Sequence, residues 1–226
     1  MAELVFDRKL SVGEPFFNAA FSPFVVALAA LLPLGAMMPW KRGDAGRAMR
    51  PLWPLLVLSV AVGALVWAMQ TGRSALGPVG VILGLRVVMG AGFDLWSRTG
   101  RGAVAGRLTR LTRLPRADWG KATAHAGLGI TIFAVSAMLA WKTEDIRVVQ
   151  MGGSYPLGPY EVTLVDVRDE AGPNFTTTKA EMRVTRNGAE VAVLFPEKRV
   201  YPVAGMPTTE AAIDYGFLRD VYLVIG

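Results

Sequence analysis

The chain has a single histidine, His125, and it lies in a stretch typical of a membrane helix. No Asp, Glu, Lys or Arg occurs from Ala122 to Trp141. Burying a neutral imidazole in hydrocarbon costs free energy unless its donor and its acceptor are both used. Three roles stay open at this point: a ligand for a metal or haem iron, a hydrogen bond to another helix, and a proton relay. The flanking residues are small, so a second helix or a flat macrocycle could approach the backbone: Ala122, Ala124, Ala126, Gly127 and Gly129.

A second residue that is costly to bury in lipid is Arg86. It lies near the middle of the run from Leu76 to Phe93, which is otherwise uncharged. A guanidinium at membrane depth needs an anion, a group of carbonyls or water. Pairing with Asp94, eight residues further on, would require Arg86 to extend along the helix. Two partners remain open: a structural group on a helix outside this sequence, and an anionic ligand such as a haem propionate. With one histidine and no cysteine the chain can build neither a catalytic triad nor a disulfide, and it has no phosphate-binding loop.

The elements that must position these residues are four long apolar runs. Each could cross a hydrocarbon layer roughly 30 Å thick at about 1.5 Å per helical residue. We predict transmembrane helices at about 17–40, 51–70, 76–95 and 122–141. An outer segment, 1–16, precedes this transmembrane region (17–141), and a polar domain, 142–226, follows it. The fold class is therefore a polytopic α-helical membrane protein with a small all-β, barrel-like domain on its outer face.

Basic loops predict the orientation of these helices. The loops after the first and the third helix are rich in Lys and Arg, whereas the turn between them has only Arg73. Basic loops stay in the cytoplasm, so the amino terminus and the β domain should lie on the outer face of the membrane. The net charge of +6 therefore belongs to membrane loops and is no argument for nucleic acid. The basic residues are Lys41, Arg42, Arg47 and Arg50 in one loop, and Arg98, Arg101, Arg107, Arg110, Arg113, Arg116 and Lys121 in the other.

The polar domain is predicted to be built from short strands. The segments DIRVVQM, YEVTLVDV, KAEMRVTR and AEVAVLF are rich in β-branched residues, and Asn187-Gly188 is the strongest short hairpin signal. After them we predict a short helix, EAAID, capped by Thr208 or Thr209. This segment and its surroundings are a candidate surface for partner proteins: Met206, Pro207, Thr208, Thr209, Glu210 and Arg219.

Four blocks of this sequence resemble the carboxy-terminal part of the CcmF family, the haem lyase subunits of the cytochrome c maturation system. The first block runs from Leu10 to Asn18 and the second, DWGKATAHAGLG, from Asp118 to Gly129. GPN occurs at Gly172–Asn174, and the block from Pro196 to Tyr222 contains MPTTEAAID intact. The resemblance covers nearly the whole chain, and the last block is the most specific.

The resemblance implies a role for His125. In the family a histidine of this helix is an axial ligand of a membrane-embedded haem b, and His125 occupies the matching position. The family helps to attach haem covalently to apocytochrome c and receives that haem from the chaperone CcmE. The membrane haem is thought to keep the iron of the incoming haem reduced. Arg86 would then be a candidate partner for an anionic group of the cofactor.

The chain departs from the family pattern at several points. The tryptophan-rich haem-handling segment, the second axial histidine and the final transmembrane helix have no counterpart here. We therefore expect a fragment, or one part of a split protein, that supplies one axial histidine and is inactive alone. The alternatives are a membrane-anchored scaffold or docking module of the same machinery, and a haem transporter subunit without a direct haem ligand.

Overall fold

The structure, a computed structural model, describes residues 14–38, 44–72, 74–203, 205–217 and 219–226. The chain divides into two compact units between Lys142 and Thr143. The first thirteen residues of the predicted outer segment, and the basic residues Lys41, Arg42 and Arg73, lie outside the described residues.

The first unit is helical. It contains α1 (Glu14–Met37), α2 (Ala45–Met69), α3 (Leu76–Arg98), α4 (Val104–Leu111) and α5 (Arg116–Trp141). All of these except α4 are long and apolar enough to cross a membrane. The predicted fold class is therefore confirmed for this part, and the chain is a multi-pass membrane protein.

Two of the long helices begin earlier than their apolar runs. Helix α2 starts at Ala45, where the Asp44 side chain accepts a hydrogen bond from the Arg47 N–H at 3.1 Å. Helix α5 starts at Arg116, directly after Pro115. The reason is that a helix can continue through polar residues beyond the hydrocarbon layer, whereas a charge-free run marks only the membrane-embedded part.

Helix α3 packs against the other three long helices. Pro33 of α1 fills the space beside Gly90, where a Cβ would lie 2.7 Å from the Pro33 ring. Ile82 of α3 occupies the space beside Gly63 of α2, at 2.2 Å from a Cβ placed there. Small residues thus let the backbones approach, as expected where lipid gives no hydrophobic driving force between helices.

The second unit is an antiparallel β domain. Its strands are β1 (Ser154–Leu157), β2 (Tyr160–Ala171), β3 (Thr176–Arg186), β4 (Ala189–Leu194), β5 (Glu197–Tyr201), β6 (Met206–Glu210), β7 (Ala212–Tyr215) and β8 (Asp220–Leu223). Six strands form a curled sheet. Five of them follow the order β1-β2-β3-β5-β6, and the sixth, β4, pairs with the C-terminal half of β3. Strands β7 and β8 form a separate pair.

The β core lies under one face of the curled sheet. It joins alternate residues of β2, β3 and β4 to the β7–β8 pair, which contributes Val221 and Leu223. The predicted hairpin turn is confirmed, because Asn187 has φ 52° and Gly188 has φ 79°, the two positive values of a type I′ turn. In the β1–β2 hairpin Gly158 has φ 59° and is followed by Pro159, which fits a type II′ turn.

Two predicted elements are wrong. The segment Glu210–Asp214 is not a capped helix: Met206–Glu210 is strand β6 and Ala212–Tyr215 is strand β7. Pairing with β5 and β8 overrides the weak helical propensity of so short a segment. No strand forms over Asp145–Met151 either, and Ile146 and Val148 are 89% and 99% exposed. A β-branched run without a neighbouring strand to pair with gains nothing from its β propensity.

Both end strands of the six-stranded order contain a proline. Pro156 lies in β1 opposite Glu161, and Pro207 lies in β6 opposite Val200. Proline is tolerated in an edge strand where the missing N–H would face away from the sheet. These two edge strands therefore each lack one outward-facing backbone donor, whereas β4, which pairs only with β3, is a third edge strand and contains no proline.

Candidate functional site

His125 lies in α5 one helical turn beyond Lys121 and on the same side of the helix. Its side chain is half-buried. Among the described residues no protein group forms a hydrogen bond with the imidazole, so its ring nitrogens are not committed within the part of the chain that the structure describes. The hydrogen bond to another helix, one of the three roles left open by the sequence, is therefore not formed with any described residue.

The small residues around His125 have two different roles. Gly129 is packed against α3, since a Cβ there would lie 2.8 Å from both the Gly84 carbonyl oxygen and Val88 Cγ2. Gly127 has no atom near its Cβ position. At about 100° per residue, however, Gly127 points about 160° away from His125 around the helix. The open space at Gly127 is therefore not on the imidazole side.

The contact between α3 and α5 continues towards the C-terminal end of α5. A Cβ on Gly84 would lie 2.6 Å from the Phe133 backbone nitrogen, and Ser136 Oγ occupies the space beside Gly80. A Cβ on Gly77 would likewise lie 3.0 Å from the Cβ of Ala140. This stripe holds α5, and with it His125, at close backbone distance from α3.

A cluster of charged residues lies at the end of α5 nearer to His125. Asp94 is only 3% exposed and accepts hydrogen bonds from Arg98 at 3.1 to 3.3 Å. Lys121 Nζ lies 2.7 Å from Asp94 Oδ2 and donates to the Ala36 carbonyl of α1 at 3.4 Å. Arg98 also contacts Asp118 at 2.9 Å. Two carboxylates and two cations therefore join α1, α3 and α5 one turn from His125.

Arg86 lies on a different side of α3. It is two residues from Gly84 and two from Val88, so it points about 160° away from the face that meets α5. Its Nε is buried and has no hydrogen-bond partner among the described residues. Asp94 does not serve as that partner, because Arg98 and Lys121 occupy its oxygens. The structure does not bring Arg86 and His125 together.

The basic loop contains a short helix, α4, which was not predicted from the sequence. Arg107 stacks on the Trp96 ring at 4.0 Å and donates to the Trp96 carbonyl oxygen at 2.6 Å. Arg110 donates to the carbonyl oxygens of Thr99 and Arg101 at 2.6 and 2.9 Å. These two arginines thus satisfy carbonyls at and just beyond the end of α3. The sequence pattern that indicates this helix is the i, i+4 spacing of Val104 and Leu108. The helix is too short for this pattern to be distinctive within a loop.

The candidate partner surface is a strand at the edge of the sheet. In β6, Met206, Pro207 and Thr209 are exposed, while Thr208 and Glu210 are half-buried. Thr208 Oγ1 lies 3.4 Å from Glu210 Oε1 on the face shared with β5. Arg219 is elsewhere: its guanidinium donates to Asp214 at 2.5 Å and lies 5.1 Å from the Tyr160 ring. Five of the six candidates therefore lie together on β6 and one does not.

Glu197 of β5 is the best-connected carboxylate near β6. Its Oε2 accepts hydrogen bonds from Arg199 at 2.9 Å and from Thr177 at 3.2 Å, and Lys179 lies 3.8 Å from Oε1. The hydrogen bond from Arg199 lowers the pKa of Glu197 below its usual value, against an opposing effect of burial. The half-buried face beside β6 is thus held by charge pairs.

The described residues contain no group of three or more His, Cys, Asp or Glu that could hold a metal ion. His125 can therefore supply a single ligand, and within the described residues no second imidazole is available to complete a bis-histidine site.

Comparison with known proteins gives consistent relatives. Residues 140–226 match the family model of the CcmF C-terminal beta-sandwich. The whole chain is 57% identical to part of the cytochrome c-type biogenesis protein ccl1 of Rhodobacter capsulatus. The matched part is 34% of that protein. It is 37% identical to the cytochrome c-type biogenesis protein CcmF of Pseudomonas aeruginosa, over 96% of this chain and 33% of that protein.

A solved structure shares the fold. The cytochrome c haem lyase CcmF matches with a TM-score of 0.63 and 20% sequence identity, over 91% of this chain and 33% of that one. The chain therefore spans about a third of the length of the curated relatives that it matches.

Proposed function

This chain belongs to the CcmF family of cytochrome c-type biogenesis proteins, and on that premise we propose that it forms part of a haem lyase that attaches haem covalently to apocytochrome c. The names of its relatives and of the solved structure with the same fold support this assignment. Thioether ligation is proposed for the larger complex, to which this chain contributes a membrane region and a β domain.

His125 supplies one axial ligand of a membrane-embedded haem b in this proposal. The observation that carries it is the half-buried imidazole with no hydrogen-bond partner among the described residues, in a run without charged side chains. Neutral imidazole is a common axial ligand of haem iron. The residues present therefore fit half of a bis-histidine site, and the second ligand comes from outside this chain. A haem bound there would supply one-electron chemistry.

The other residues of the helical unit hold His125 in place. The glycine stripe on α3 fixes the position of α5, and the pair Lys121–Asp94 fixes its end one turn away. The Arg86 guanidinium points away from the α5 face, so it does not serve a cofactor at His125 along that face. We propose instead that Arg86 pairs with an acceptor from the part of the protein outside this chain, which is the structural alternative left open by the sequence.

The partners and location follow the same premise. We propose that the chain works in a bacterial inner membrane with its β domain in the periplasm, alongside the remainder of the lyase, the haem chaperone CcmE and apocytochrome c. A docking module of the same machinery, without a direct haem ligand, is the alternative function. The edge strand β6, with its exposed Met206, Pro207 and Thr209, favours it.

One experiment separates these two functions. The chain is expressed together with the remaining part of the lyase, and the visible spectrum of the purified complex is recorded. We expect a low-spin b-type spectrum that His125→Ala abolishes and that His125→Gly with added imidazole partly restores. Thr131→Ala is the matched control, since Thr131 Oγ1 donates only to the Gly127 carbonyl of the same helix. An unchanged low-spin spectrum in His125→Ala would eliminate the ligand assignment and leave the docking module.

A further inference from the structure

Helix α4 contacts two tryptophans, each near the end of a membrane-spanning helix. Arg107 of α4 stacks on Trp96, at the end of α3, and Trp119 at the start of α5 donates from Nε1 to the Leu111 carbonyl at 3.3 Å. Tryptophan is enriched at the level of the lipid headgroups. Because α3 and α5 are membrane-spanning helices, α4 is held at that level.

One edge of α4 is apolar and uncovered. Val104 and Leu108, one turn apart, are 63% and 51% exposed. Leu111 continues the same edge inwards and packs against the cluster formed by Ala91, Leu95 and Ala122. An amphipathic helix that joins two membrane helices and exposes an apolar edge at headgroup level is placed to bury that edge among lipids.

The four arginines from Arg107 to Arg116 divide into two groups. Arg107 and Arg110 are used inside the protein, where they satisfy carbonyls near the end of α3. Arg113 and Arg116 are exposed and form no ion pair or hydrogen bond through their guanidinium groups with any described residue. The nearby carboxylate, Asp118, is already paired with Arg98. Two free guanidinium groups therefore follow directly after the uncovered apolar edge.

We propose that α4 and the segment Arg113–Arg116 form a binding site for anionic phospholipid. The guanidinium groups of Arg113 and Arg116 bind the phosphate, and Val104 and Leu108 enter the boundary between headgroups and acyl chains. A guanidinium matches phosphate with two parallel hydrogen bonds. The ligand is a lipid rather than free phosphate, because free phosphate would leave the apolar edge uncovered at the membrane surface.

Quenching of Trp119 fluorescence tests the site in the full chain, reconstituted in phospholipid nanodiscs. The nanodiscs contain either brominated phosphatidylglycerol or brominated phosphatidylcholine at equal bromine content. The fluorescence of the Trp119→Phe variant is subtracted from that of the unaltered chain to isolate the signal of Trp119. We expect stronger quenching by phosphatidylglycerol. Arg113→Gln with Arg116→Gln should reduce that preference by up to about fivefold for each arginine removed.

Controls separate this site from general electrostatics and from misfolding. Arg47→Gln with Arg50→Gln removes the same charge from another basic segment and should leave the preference at Trp119 unchanged. Raised salt should weaken the preference of the unaltered chain for phosphatidylglycerol, because salt screens the charges. Excess soluble glycerol phosphate should leave that preference unchanged. Equal quenching by the two lipids, or an equal loss in the control variant, would overturn the proposal. Full competition by glycerol phosphate would overturn the lipid assignment.

Discussion

Lys121 Nζ lies 2.7 Å from Asp94 Oδ2, and the same ammonium group reaches the Ala36 carbonyl at 3.4 Å. One side chain thus joins three membrane helices at the end of α5 that carries His125. Asp94 is almost fully buried, whereas the side chains of Arg98 and Lys121 remain 36% and 32% exposed.

Asp94→Asn should destabilise the helical unit because it leaves two cations without their shared carboxylate. Removing one partner of a fully buried pair costs about 3–5 kcal/mol. Solvent screening of Arg98 and Lys121 reduces our expectation to about 2–3 kcal/mol. Thermal unfolding in detergent measures the change. Asp44→Asn is the control, since Asn is an equally good cap and the Arg47–Asp44 pair is exposed. Equal melting temperatures for the two variants would show that the cluster is not structural.

Gly84→Ala should loosen the contact between α3 and α5, because the added Cβ would lie 2.6 Å from a backbone nitrogen of α5. Overpacking of this kind costs about 1–3 kcal/mol. Gly92→Ala, on the same helix, has no atom within 4 Å of the new Cβ and should be neutral or slightly stabilising. Protease resistance and thermal unfolding of the two variants make the comparison. If Gly84→Ala behaves like Gly92→Ala, the close approach of the helices is wrong.

Acid should destabilise the β domain through Glu197. Its pKa is lowered in the folded state, mainly by the hydrogen bond from Arg199, so its contribution to stability is fully present above the usual glutamate pKa of about 4.3. That contribution is lost as the pH falls from there through the folded-state pKa. Glu197→Gln should lower stability at neutral pH by about 1–3 kcal/mol and flatten the acid dependence. Hydrogen exchange of β3 and β5 amides against pH measures both, and an unchanged acid slope in the variant contradicts the assignment.

The orientation is tested with fused reporters. A reporter after Gly226 should behave as exported, and one in the loop between Arg98 and Lys121 should stay in the cytoplasm, because basic loops are retained there. Neutralising Arg107, Arg110, Arg113 and Arg116 together should weaken this orientation. Neutralising only Arg113 and Arg116 should also weaken the orientation, and it keeps Arg107 and Arg110, which bind the carbonyls near the end of α3. The reverse placement of the two reporters would contradict the topology.

Thr208→Ala or Glu210→Ala should lower the yield of mature cytochrome more than the level of the protein itself. The reason is that β6 presents these side chains, with Met206 and Pro207, at the open edge of the described sheet. Thr176→Ala removes the same kind of side chain from an exposed position of β3, outside the candidate surface, and serves as control. If the yield of cytochrome falls only in step with the stability of the domain, these residues are structural.

The membrane region could be predicted from the sequence because charge-free runs report directly on burial in lipid. What the runs could not give was the start of a helix outside the lipid, as at Ala45 and Arg116, or the short helix α4. The role of Arg107 and Arg110 was also hidden, because a capping arginine and a topogenic arginine look alike in sequence.

In the β domain the hairpin at Asn187-Gly188 was predictable because its turn chemistry is local. The block MPTTEAAID was not, since helix or strand there depends on pairing with β5 and β8, which are neighbours only in the fold. At the candidate site, His125 and Arg86 could be recognised from the sequence as residues that are costly to bury in lipid. Only the structure shows that Arg86 lies on the side of α3 that faces away from α5, the helix of His125, because this depends on which face of α3 meets α5.

The prolines in β1 and β6 also bear on aggregation. A chain that has not yet folded can recruit a β-sheet by pairing with its free edge, and the sheet then becomes a template for further strands. Pro156 and Pro207 interrupt that pairing at the two ends of the described order. The two prolines therefore favour contacts made by side chains, rather than by a continuous backbone ladder, at these two edge strands.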